Sequence, residues 1–163
     1  MKKILFTLLL AGVISFAASA QTRVGGHLAY GTEIENLGLG GVGEFFLNRE
    51  MAIAPSLTFF FPEKYGFYRN SFWEMNINFN YYFVPDGSVN FYGLAGLNFG
   101  TVKLRYDGPG NDFSDSHTEI GLNIGMGINF VLQNNKVVPF LEFKYAISDY
   151  DQAVFAFGVK VNM

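Results

Sequence analysis

Between Phe72 and Phe83 the chain reads F-W-E-M-N-I-N-F-N-Y-Y-F, large apolar and polar residues in near-unbroken alternation. Successive side chains of a β-strand face opposite sides. Trp73, Met75, Ile77, Phe79, Tyr81 and Phe83 therefore point one way, and Glu74, Asn76, Asn78, Asn80 and Tyr82 the other. The same period returns along the chain and predicts strands over 23–33, 37–47, 51–61, 72–83, 89–104, 118–132, 137–147 and 153–163. The sixth is almost as regular as the fourth: Ile120, Leu122, Ile124, Met126, Ile128 and Phe130 alternate with Glu119, Gly121, Asn123, Gly125, Gly127 and Asn129. Pro55 has no N–H to donate, which predicts a bulge or weakened pairing in the third strand. Short turns at 48–50, 84–88 and 133–136 alternate with connections that include the two longest, 62–71 and 105–117.

Alternation is symmetric, so composition must say which face is outside. Charged residues make up 15% of the chain and aromatic residues 18%, whereas ordinary soluble domains carry about 25% charged residues. A soluble lipocalin-like barrel would turn its apolar face inward and cover its surface with about 25–35% charged side chains. The polar face here is instead Asn, Gly, Ser and Thr, which suits a crowded, hydrogen-bonded interior. The expected fold is all-β, an eight-stranded antiparallel up-and-down transmembrane β-barrel, apolar toward lipid. Outward aromatics gather at the strand ends. Tyr30, Phe59, Phe61, Trp73, Tyr145 and Phe155 form one girdle, and Phe45, Tyr81, Phe83, Phe91 and Phe130 the other.

The beginning of the chain gives the address. Lys2 and Lys3, the apolar stretch Ile4–Phe16 and the small residues Ala18-Ser19-Ala20 have the form of a signal peptide cleaved after Ala20. Residues 1–20 are thus expected to be removed, leaving 21–163 as the barrel domain. Short turns on the periplasmic side and an even strand count put both mature termini in the periplasm of a Gram-negative cell. The absence of Cys removes disulfides, thiolate metal sites and thiol nucleophiles. A net charge of −3 offers nothing to nucleic acid.

The inward face carries charges of both signs: Arg23, His27, Glu44, Glu74, Glu119, Glu142, Lys144 and Lys160. Buried charges must be paired, so these are expected to form a structural lumen network. Arg23 and Lys160 should lie next to each other across the closing seam, with Glu44 at a similar depth. Side chains fill an eight-stranded barrel, which makes a narrow pore the lesser reading. Asp115-Ser116-His117, with Glu119 nearby, holds the ingredients of a base and a nucleophile, but the triplet reads better as a solvated loop. Asp107, Asp112, Asp115, Asp149 and Asp151 cluster in outer loops without calcium-loop spacing. No catalytic, cofactor-binding or metal-binding residue is assigned. Lys64, Arg69, Lys103 and Arg105 lie toward the outer surface, where they could meet lipopolysaccharide phosphates.

Phe155, Phe157, Val159, Val161 and Met163 alternate to the last residue. This resembles the C-terminal signal read by the outer-membrane assembly machinery, which normally closes on Phe rather than Met. Residues 22–163 resemble the small eight-stranded OmpX/OmpA-type outer-membrane barrels, a porin-like family, and Gln21 directly after the cleavage site is similar to exported proteins of Bacteroidetes. The resemblance implies a non-enzymatic envelope protein whose outer loops contact lipopolysaccharide, a ligand or a partner protein. An accessory subunit of a larger outer-membrane complex is the alternative, ahead of a lipid A-modifying enzyme; the histidine–x–serine arrangement of deacylase-like barrels is not matched.

Overall fold

A computed structural model describes residues 21–65, 68–85, 87–106, 113–132, 136–149 and 151–163. The expected signal segment 1–20, Asp86, Asp107, Asp112 and the 133–135 part of the third short turn lie outside the described residues. The strands are β1 (Thr22–Gly31), β2 (Asn36–Phe46), β3 (Met51–Phe60), β4 (Glu63–Tyr65), β5 (Tyr68–Tyr82), β6 (Val89–Tyr106), β7 (Phe113–Phe130), β8 (Val137–Ile147) and β9 (Gln152–Asn162). Neighbours pair in chain order, β1 pairs with β9, and β3 pairs with β5 past the short β4. The eight long strands thus close into an antiparallel barrel, and no edge is left along the ring.

Two expected loops contain strand. The connection 62–71 holds β4, whose Lys64 is the register partner of Arg69 on β5. The connection 105–117 shrinks because β6 and β7 stay paired out to Tyr106↔Phe113. The β7–β8 ladder, by contrast, stops at Leu122↔Ile147. A blade of β5, β6 and β7 therefore rises beyond the rest of the outer rim. Alternation was visible past these boundaries, but the turn-forming Asp, Gly, Ser and Pro residues hid it.

Pro55 causes no bulge. The β2–β3 register is continuous from Val42↔Ser56 to Phe45↔Ile53, but the two rungs between are missing. On its other side Pro55 pairs in step with Ile77 of β5. The missing N–H weakens only the ladder toward β2.

The apolar set faces out. Leu39, Phe59, Ile77, Leu97, Leu122, Ile124, Met126, Leu141 and Phe157 are all exposed. In a barrel that side is the hydrocarbon, and this burial against lipid replaces a soluble core. Aromatic neighbours mark both ends of the outward face: Phe59 against Trp73 at 6.4 Å and Phe143 against Phe155 at 4.9 Å toward the blade, Tyr81 against Phe83 at 5.5 Å toward the short turns. Small residues line the inside where strands crowd. At Gly158 of β9 an added Cβ would meet the Gly26 carbonyl oxygen and lie 2.7 Å from His27 Cα.

Two outcomes are expected. Gly158→Val should block closure of the β1–β9 seam, so the fast-migrating unheated band of a folded barrel should disappear from the gel. Trp73, the only tryptophan, should lie near the lipid headgroups. Its emission should be quenched more by lipids brominated near the carbonyl than by lipids brominated near the chain end.

Candidate functional site

The barrel interior is polar because β5 presents Glu74, Asn76, Asn78, Asn80 and Tyr82 to it, all buried. Register then decides what each of them meets. Glu44 on β2 sits opposite Arg23 on β1 and is 0% exposed. Its carboxylate accepts from Arg23 Nη1 at 3.4 Å, Lys160 Nζ at 3.4 Å, Asn80 Nδ2 at 3.1 Å and the Tyr82 hydroxyl. One anion therefore holds two cations. Asn162, rather than Lys160, lies directly across the seam from Arg23, and its Oδ1 accepts from Arg23 Nε at 2.8 Å. Lys160 faces Gly25 and reaches the same Glu44 diagonally. Its ammonium also lies 4.5 Å from the Phe140 ring centroid, and the Arg23 guanidinium lies 4.6 Å from that of Phe46. These aromatic faces favour cations held away from water.

A second cluster lies nearer the blade. Glu74 accepts from Lys144 Nζ at 2.5 Å, and from Asn76 and Asn98 at 3.3 Å each. Asn123 Nδ2 reaches Asn76 and Asn78 at 2.8 and 2.9 Å, binding β7 to β5 over Gly96 of the intervening β6. Between the clusters, Tyr92 donates to Glu142 at 2.8 Å, and a His27 ring nitrogen meets the Thr58 hydroxyl at 3.0 Å. The cavity beside His27, Glu142 and Lys144 is about 20 Å³, room for roughly one water. This is a packed interior.

Glu119 lies on the inward face of β7, with one oxygen 3.3 Å from His117 Nε2. His117 and Asp115 occupy inward positions on the blade, and Ser116 the outward position between them, facing Lys103 of β6. Strand alternation thus turns the Ser116 hydroxyl away from the His117 imidazole, so the pair required for nucleophile activation is not brought together. Asp151 instead accepts the Ser148 amide at 3.0 Å, fastening a turn. Among the described residues no group of three or more His, Cys, Asp or Glu is placed to hold a metal.

Sequence reasoning placed Tyr82, Tyr92 and Asn129 on the inward face but did not name them, or Asn162, as partners of the buried charges. Their inward parity was readable, but whether a polar side chain meets a charge depends on depth, and depth depends on register. The aromatic residues of both expected girdles are outward by position. Phe155, Phe157, Val159, Val161 and Met163 are exposed on one face of the last strand and its end.

The sequence matches the family model described as "Outer membrane protein beta-barrel domain" over residues 5–162. Ail, the attachment invasion locus protein of Yersinia pestis, is similar in structure (TM-score 0.64, 18% identity, 88% of this chain and 97% of that one). So is the N-terminal barrel of Pseudomonas aeruginosa OprF (TM-score 0.66, 16% identity, 89% and 100%). Neisserial surface protein A is a third (TM-score 0.64, 16% identity, 88% and 97%). No curated protein matches the sequence.

Neutralising Glu44 leaves Arg23 and Lys160 facing each other without their shared anion. Glu44→Gln is expected to destabilise the folded barrel by about 3–5 kcal/mol, the cost of breaking a buried pair. The midpoint of urea-induced unfolding in detergent micelles, followed by Trp73 emission, measures it.

Proposed function

Because the chain belongs to the outer membrane protein β-barrel domain family and is therefore an outer-membrane protein, we propose that it is a self-contained, non-enzymatic envelope barrel whose outer blade grips the phosphates of lipopolysaccharide. One observation carries this reading: the two faces of the blade carry opposite charge. On the outward face, Arg69, Arg105 and Ser114 form one cross-strand row, and Ser71, Lys103 and Ser116 the next. The row below is Trp73, Thr101 and Thr118, level with the outer aromatic band. Carboxylates occupy the inward positions instead, at Asp115, Glu119 and Glu74. Lys64 is the backbone register partner of Arg69.

Cations and hydroxyls just beyond an aromatic band stand where headgroup phosphates lie. Arg offers a planar fork to a phosphate, and Lys a compact point charge. The same placement makes little sense for a soluble ligand, since the surface faces the surrounding lipid rather than the mouth. The packed lumen supports a scaffold over a pore, and the opposed directions of Ser116 and His117 support a non-enzyme. The signal peptide of residues 1–20, the periplasmic termini and recognition of the last strand by the assembly machinery complete the reading.

The test is thermal unfolding of the purified protein in neutral detergent as lipopolysaccharide is added. Bound ligand raises the midpoint by mass action. A clear rise is expected with lipopolysaccharide, little with its dephosphorylated form, and at most half the rise in Lys103→Gln/Arg105→Gln. Equal stabilisation by both forms would sink the proposal.

A further inference from the structure

The inner side of the blade encloses a surface of the opposite sign. Phe72 and Val102 line two neighbouring cavities at the outer mouth. The upper one is about 230 Å³ and is walled by Glu33, Asn36, Phe61 and Asn70. The lower one is about 20 Å³ and closes on Glu74, His117, Glu119 and Gln152. Among the described residues neither is lined by Lys or Arg. The turn supplying Glu33 also contains Glu35 at φ 49°, a left-handed conformation that non-glycine residues adopt uncommonly.

Two oxygens in the lower cavity's wall lack partners. Gln152 is 4% exposed, and its Oε1 is buried without a hydrogen bond. Glu119 Oε2 is buried and unpartnered as well, while its sister oxygen lies 3.3 Å from His117. Glu74 below is already held by Lys144. An unmet buried acceptor is costly and signals an absent donor. Here both unmet atoms are acceptors, carboxylates flank both cavities, and an aromatic ring stands between them. A donor that is also positive satisfies all three features, since the faces of aromatic rings attract cations. A neutral polyol would leave the carboxylates uncompensated, and an anion would be repelled.

We infer that this vestibule binds a small organic cation carrying an ammonium group. The N–H donors engage Glu119 and Gln152, and the hydrocarbon lies along Phe72. The site goes beyond the lipid contact proposed above. Apart from Ser71 at the rim of the upper cavity, the blade residues it uses lie on the opposite face, and none of the basic side chains proposed to meet lipid phosphates lines it, so the two readings stand or fall separately.

The experiment is calorimetric titration of the folded, full-length mature barrel in neutral detergent with 1,4-diaminobutane. Uncharged 1,4-butanediol and anionic succinate serve as matched probes. The diamine is expected to bind at least ~10-fold more tightly than the diol, and succinate not at all, because charge-assisted bonds are roughly twice as strong as neutral ones. Glu119→Gln should weaken diamine binding by about 10-fold, and Phe72→Leu by about 3-fold. Glu50→Gln, which removes a carboxylate at the opposite end, should change nothing. Heat-modifiable gel mobility checks that each variant folds; if Glu119→Gln does not, Gln152→Leu should show a comparable loss. Absence of diamine binding, equal binding of diamine and diol, or indifference of the folded variants would overturn the assignment. A cavity that merely holds water would give the first result.

Discussion

Closure is the constraint on which the rest of this molecule depends. In hydrocarbon an unpaired backbone N–H or C=O costs several kcal/mol, so a sheet can span only if its edges meet. Here they meet twice: β9 returns to β1, and β5 bypasses the three-residue β4 to reach β3. Once the ring is shut, every second side chain is committed to lipid and the remainder to a narrow interior. The small residues inside follow from this crowding. At Gly158 and Gly125 an added Cβ would press on the backbone of the adjoining strand.

A closed eight-stranded ring leaves little space inside, so its charges must satisfy one another. Glu44 holds Arg23 and Lys160 near the end that carries the chain termini, and Glu74 holds Lys144 nearer the blade. Buried ion pairs of this kind contribute modestly to net stability, yet removing one member is expensive. Their value here is registry. A one-residue slip between strands would turn these side chains out into lipid. The asparagine bridge from Asn123 to Asn76 and Asn78 does the same for strands that are not neighbours.

The outer end breaks the symmetry. The β5–β6–β7 blade continues while the ladder to β8 stops at Leu122, so one side of the barrel stands above the other. Strand pairing, and with it the alternation of faces, persists there. The two faces carry opposite charges there, basic on the outward side and acidic on the inward side. The scaffold below holds those residues at fixed height and orientation.

The period of two was written in the chain. Side-chain direction is local, so Trp73, Ile77 and Phe79 could be assigned outward, and Glu44, Glu74 and Lys160 inward, from their positions alone. The strand count and the lipid-facing surface followed for the same reason. Pairing between distant residues was not local. That Asn162 rather than Lys160 stands opposite Arg23, that Tyr82 meets Glu44, and that Pro55 loosens one ladder without a bulge all depend on relative depth. The same applies to the outer end, where Ser114, Ser116 and Asp115 read as loop residues until β6 supplied partners for them. Sequence by itself determined which way each side chain points, because that is a property of one strand. Only the closed tertiary structure decided which side chains meet, because register is set by the whole ring.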